Sequence, residues 1–163
     1  AKPWVRGCQS ARTLRAQLGI GSGPISTTSL GQLLSANLPL PVSSHRSPVA
    51  GALRDGTTHM LLHSPRITTQ RFALARVMGL AASGPERLLP LSERATAQQK
   101  FSRAFAQEFL CPWEELDAAT DEDGTGPDSV AAIAHQYGVS EMVVTTTLVN
   151  RGKIDRMELE RFS

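Results

Sequence analysis

The side chains with chemistry to offer are few and scattered through 163 residues. Three of the four histidines fall between residues 45 and 63, and His59 and His63 would share one face of a strand. Imidazoles so placed are familiar zinc ligands, yet His45, His59 and His63 supply only three donors where a structural zinc takes four. They are expected to be surface or partner-contacting histidines, with zinc bound only if those three form a site of their own. The run Asp121 to Asp128, DEDGTGPD, alternates acids, threonine and glycine as a calcium loop does. The twelfth position from Asp121 is Ala132, where an EF-hand needs a bidentate glutamate, so a solvated loop is expected. Gly19-Ile20-Gly21-Ser22-Gly23-Pro24 is glycine-rich enough to cradle a phosphate. It follows a helix and not a strand, and it lacks the Lys-Ser/Thr ending, so it reads as a helix cap and linker. Cys8 and Cys111 stand far apart with no repeated spacing, which points to reduced thiols and a cytoplasmic protein.

The elements that must position these groups follow from periodicity. Ala11, Leu14 and Leu18 recur at helical spacing over 6–18, and Leu30, Leu33 and Leu34 do so over 27–36, before Pro39 and Pro41 forbid a helix. Strands are expected at 38–43, 48–53 and 57–63, with Arg54-Asp55-Gly56 as the turn between the last two. Thr68 to Ala82 is apolar nearly all round, broken by Arg71 and Arg76, and such a helix belongs inside a domain. A helix over 94–110 carries Phe101, Phe105 and Phe109 on one stripe and ends at Cys111-Pro112. A short acidic helix over 113–119 follows, then helices over 128–137 and 140–150 and a last one from about 155. Trp4 and Trp113 read as anchors or as exposed partner contacts. The expected fold is α+β: a small antiparallel or mixed three-stranded sheet packed against a helical bundle, with a helix-turn-helix-like tail.

That tail places Ala134, Gly138 and Val144 at helix-turn-helix spacing, with Gly138-Val139-Ser140 as turn and N-cap. A DNA reader presents Arg, Lys, Asn or Gln at the start of its second helix. Ser140, Glu141, Met142, Val143 and Val144 stand there, followed by Thr145 to Thr147, so packing is expected before DNA contact.

Length and composition, 40% hydrophobic and 20% charged, describe one globular domain spanning 1–163, and no apolar run approaches the roughly 20 residues of a membrane span. The net charge of +2 conceals an asymmetry. Residues 1–90 hold ten Lys and Arg against two Asp and Glu, and residues 91–163 hold seven against thirteen, giving halves of +8 and −6. Basic residues spaced singly favour two halves that attract each other, or a basic face turned to another domain, over a nucleic-acid footprint. The opening Ala1-Lys2-Pro3-Trp4 has no signal-peptide core and reads as the start of a piece cut from a longer chain.

Residues 66–80, RITTQRFALARVMGL, and 101–112, FSRAFAQEFLCP, resemble the two central helices of the ImmA/IrrE family of metallopeptidase-like domains. In that family the first helix reads approximately Arg-Phe-Thr-Leu-Ala-His-Glu-Leu-Gly-His and the second Glu-x-x-Ala-Asn-x-Phe-Ala-x-x-Leu-Leu-Met-Pro. Arg71, Phe72, Leu74, Ala75 and Gly79 keep the first frame, and Phe105, Ala106, Leu110 and Pro112 keep the second. The likeness runs from ARTLRAQLGIGSGPI to VAAIAHQYGVSEMVV, with a peptidase-like core over 1–120 and a C-terminal helical segment over 128–163.

The resemblance implies a zinc site of two histidines at i and i+4, a glutamate as general base and a later carboxylate ligand. Arg76, Val77, Leu80 and Gln99 stand at those positions. A guanidinium has no lone pair to offer, two aliphatic side chains have no donor atom, and one amide oxygen does not hold zinc. The domain is therefore expected to be a pseudopeptidase without metal, cofactor or catalytic residues. Arg76 either supplies a fixed charge where the cation would sit or points along the cleft to solvent. The expected role is that of a bacterial regulatory, sensor or protein-interaction domain in transcription or stress control, beside a helix-turn-helix domain in the parent chain. A protein partner or small ligand would occupy the former substrate cleft, lined by Arg71, Arg76, Leu80 and Gln99. The rivals are a peptidase with non-standard ligands, recognised by metal content, and a DNA-binding module, recognised by salt-dependent affinity.

Overall fold

A computed structural model describes residues 1–35, 49–52, 58–61, 64–83, 88–90 and 96–157, with the three strand segments described as backbone. Helix α1, Pro3–Gln17, opens on a proline at a position whose N–H has no intrahelical partner, which is why it begins earlier than the expected residue 6. Helix α2, Thr27–Leu33, is capped by Ser26, whose hydroxyl accepts from the Ser29 N–H at 3.0 Å. Helix α3 covers Ile67–Ser83 and helix α4 covers Ala97–Leu110, the latter capped by Thr96 accepting from the Gln99 N–H at 3.2 Å. Helix α5, Trp113–Asp123, starts after Pro112 with Glu114 and Glu115 in its first turn, where acids suit the helix dipole. Helices α6, Pro127–Tyr137, and α7, Glu141–Asn150, form the tail.

The core lies where α1 and α3 meet α4. Phe101, Phe105 and Phe109 form the expected stripe, with neighbouring rings stacked at 6.4 and 5.6 Å, and the last two are fully buried. Two glycines let the flanking helices come this close. A Cβ on Gly7 would overlap the Phe101 carbonyl oxygen, and one on Gly79 would lie 2.6 Å from the Phe105 ring. Every residue of α3 from Ala73 to Leu80 is buried, as its all-round apolar sequence requires.

The backbone segments β1 (Val49–Ala52), β2 (Thr58–Leu61) and β3 (Leu88–Pro90) pair antiparallel in the order β2-β1-β3, with Gly51 opposite His59 on one side and Leu88 on the other. The α+β class expected from the sequence is nonetheless corrected, because the domain is built by helices. Its described core consists of residues on the helices and the turns joining them. A four-residue strand spans only about 13 Å, too little to make a layer on which α3, about 25 Å long, could lie. Helix α3 packs chiefly against α4. Runs of Val, Ala, Thr and Leu between prolines carry a strand signal without building a load-carrying sheet. The strand expected at 38–43 and the turn at Arg54-Asp55-Gly56 lie outside the described residues, and β3 forms where no strand was expected.

The acidic loop is also shorter than expected. Helix α5 continues to Asp123, aided by the Thr120 hydroxyl donating to the Leu116 carbonyl at 2.9 Å, and ends at Gly124 with φ +80°. Lys153 then ties the chain after α7 back to α5 through Asp117 at 2.9 Å and through Asp121.

Candidate functional site

The two polar positions that align with the resembled motif meet. Arg76 on α3 and Gln99 on α4 are buried, at 8% and 2% exposure, and the Arg76 Nη2 donates to the Gln99 Oε1. The Arg76 Nε donates to the Ser102 hydroxyl at 3.3 Å, and that hydroxyl donates to the Gln99 carbonyl at 3.2 Å. Ser102, fully buried one turn beyond Gln99, was not singled out in the sequence; its spacing of three from Gln99 on a helix was the available signal. Of the two sequence readings of Arg76, a guanidinium pointing along the cleft to solvent is replaced by one engaged between helices. Val77 and Leu80, each 1% exposed, are core residues. Capping by Thr96 fixes the first turn of α4 and thereby the direction from which Gln99 reaches α3.

Arg71, also named as lining the cleft, is directed elsewhere. Its Nε donates to the Gly138 carbonyl at 2.9 Å, Nη1 to the Thr27 hydroxyl at 2.9 Å, and Nη2 to the carbonyls of Ile25 at 2.6 Å and Tyr137 at 3.3 Å. Two of those carbonyls close the C-terminus of α6, where a cation is favoured by the helix dipole. Burial lowers the Arg71 pKa, as expected for a cation taken out of water, and the group stays protonated. Gly138 completes the joint: it turns the chain at φ +61°, and a Cβ there would sit 2.8 Å from the Arg71 Nε. Arg71 thus clasps the tail and the segment before α2 onto α3.

A second set of charges was missed by sequence reasoning. Glu108 on α4 is 1% exposed, and Arg12 of α1 donates to its Oε1 at 2.7 Å. Among the described residues its Oε2 has no hydrogen-bond partner, and it lies 3.8 Å from the Arg151 guanidinium. Arg151 in turn stacks on Trp113 at 4.9 Å, so this tryptophan is an intramolecular anchor. The Arg12–Glu108 hydrogen bond raises the Arg12 pKa. The nearby Cys8 thiol is raised first by burial and then by Glu108, and burial pushes Cys111 up to about 12, so neither is a ready nucleophile. Arg15 is a further buried guanidinium, bonding the Phe109 carbonyl and, through Nε at 3.0 Å and Nη2 at 2.6 Å, the carbonyls of Gly21 and Gly23.

Among the described residues, no three His, Cys, Asp or Glu side chains gather as a metal site, and no helix is long and apolar enough to cross a membrane. The side chains of His45, His59 and His63 lie outside the described residues. The chemistry that Arg76, Gln99 and Ser102 supply is hydrogen bonding and positive charge, with no general base. The chain matches no family model and no curated protein.

Proposed function

We propose that this is a catalytically inactive, ImmA/IrrE-like regulatory domain that acts by binding a protein partner or small ligand beside α3 and α4. It works in the reducing cytoplasm, within a bacterial regulator of transcription or stress response. The observation that carries the non-catalytic reading is the bond from Arg76 to Gln99, which joins by a guanidinium and an amide two positions that hold metal in the resembled family. Val77 and Leu80, packed in the core, supply neither a base nor a ligand. The resemblance of 66–80 and 101–112 supports the family reading, and Cys8 and Cys111, far apart in sequence and not bonded to each other, support the compartment. The tail favours packing over DNA contact: α7 buries Val144, Thr145, Thr147 and Leu148, and its exposed residues include Glu141 and Met142.

Two measurements test this. The purified domain, dialysed against zinc, is expected to retain no stoichiometric metal and to leave casein intact. Chelator-sensitive hydrolysis would establish the rival peptidase. The combined variant R76H/V77E/L80H/Q99E is expected to gain stoichiometric zinc if the positions have been placed in the right family frame. A folded variant, judged by circular dichroism, that gains no zinc would sink the resemblance.

A further inference from the structure

The carboxylate of Glu108 is buried half satisfied. The residue is 1% exposed, and its Oε1 accepts from the Arg12 Nε at 2.7 Å, whereas among the described residues its Oε2 accepts no hydrogen bond. An acceptor taken out of water without a donor costs stability, so Oε2 is a standing demand for an N–H. The cation that faces it is Arg151, whose Nη2 is 3.8 Å away and beyond hydrogen-bond reach.

Arg151 is held back by its own attachment. It caps α7, its backbone N–H donates to the Thr147 carbonyl at 3.0 Å, and two residues later Lys153 is bound to Asp117 at 2.9 Å and to Asp121. From this fixed backbone the guanidinium is shared among the Trp113 ring at 4.9 Å, the Cys8 thiol and Glu108. Its side chain is 36% exposed, so turning it outward puts it in water and requires no movement of α7. What the turn uncovers is a carboxylate oxygen beside an indole face. Arg12 alone then stands against Glu108 and the exposed Glu114, whose charge also reaches Arg12. One cation between two carboxylates leaves an excess of negative charge that attracts another cation. A planar one stacks on the indole while its edge donates to Oε2, which a compact, strongly hydrated ammonium does less well.

We propose that Glu108 and Trp113 form a seat for a guanidinium ligand, in which Arg151 is a displaceable resident. An incoming guanidinium, free of any tether to α7, closes the gap to Oε2 that Arg151 leaves open. The chain's own arginine thereby competes with the ligand and sets how readily the seat is filled. The seat uses none of the residues of the Arg76 site and does not rest on the family resemblance, so it stands whether or not the domain holds zinc.

The test is a titration of the isotope-labelled domain followed by NMR at the indole N–H of Trp113, told from that of Trp4 by a W4F variant. Methylguanidine is expected to shift this signal saturably, and methylurea, its neutral isostere, to leave it in place. R151A removes the resident from a partly exposed position, and binding is expected to tighten about tenfold, the factor for a seat otherwise open about a tenth of the time. E108Q in the R151A background, judged folded by circular dichroism, is expected to lose the binding. Agmatine and a capped Gly-Arg-Gly peptide separate a free guanidine compound from the arginine of a partner protein, and tighter binding of either supports the seat and names its source. An Arg151 that serves only to hold the tail predicts that R151A binds no better than the parent, and that result would overturn the proposal. So would the absence of a saturable shift in R151A, an equal response to methylurea, undiminished binding in folded E108Q/R151A, or tighter binding of butylammonium than of agmatine.

Discussion

Five positions apart on α3, Arg71 and Arg76 are both buried and yet belong to different kinds of place. Arg71 is surrounded by main-chain carbonyls of Ile25, Tyr137 and Gly138 together with the Thr27 hydroxyl. Those oxygens are held by the fold, and the guanidinium joins three stretches of chain that are remote in sequence. Among its described contacts, Arg76 meets side chains, the Gln99 amide and the Ser102 hydroxyl. Side chains can be exchanged without redirecting the backbone, so the second setting is open to chemical change and the first is not. A buried arginine is thus structural or adaptable according to what accepts its hydrogens, and the apolar helix around it is the same in both cases.

The sharpest way to break this comparison is to remove each arginine. Arg71→Met leaves several buried oxygens without a donor and is expected to cost about 3 kcal/mol or more, read as a fall in the urea midpoint. If Arg71→Met proved as mild as a surface substitution, the clasp would not be holding the tail. Gly138→Ala attacks the same joint from the other side. It combines left-handed backbone with a Cβ against the Arg71 guanidinium, and a loss of about 1–2 kcal/mol is expected by thermal denaturation. At the other arginine, R76M/Q99L replaces both members of a buried polar pair by apolar groups of similar size. It is expected to be less damaging than R76M alone, in which the Gln99 Oε1 loses the Arg76 Nη2 donor. A double variant less stable than either single one would erase the distinction.

The smallest expected effect concerns pH. Burial raises the Cys111 thiol from about 9 to about 12, so in the folded chain it keeps its proton where the unfolded chain releases it. The stabilisation is complete below about pH 9 and is lost as pH rises toward 12. Stability is therefore expected to fall above pH 9, and less steeply in a Cys111→Ala variant. Equal slopes would mean that the thiol does not titrate differently on unfolding.

What could be read from the sequence was local periodicity. Phe101, Phe105 and Phe109 announced a stripe, Ser140 announced a cap, and two arginines in an apolar helix announced positions worth attention. The sheet-based fold was misjudged because short runs of Val, Ala, Thr and Leu carry the same strand signal whether or not they build a layer. The division of labour between Arg71 and Arg76 was illegible for a different reason. It depends on carbonyls and side chains brought in from residues 25 to 27, 99 to 102 and 137 to 138, and hydrogen-bond acceptors of the main chain have no residue-type signature. Glu108 escaped notice because its burial is set by α1 crossing α4 at Gly7.

The grip of Arg15 on Gly21 and Gly23 bears on how the chain is degraded. A glycine-rich connection between two helices is the sort of stretch a protease nicks first, since cleavage needs several residues to peel away and extend into the enzyme. Here two of its carbonyls are pinned to a guanidinium that also holds the end of α4 at Phe109. Peeling that loop means extracting a buried cation, so limited digestion should spare Gly19 to Pro24 until the domain as a whole opens.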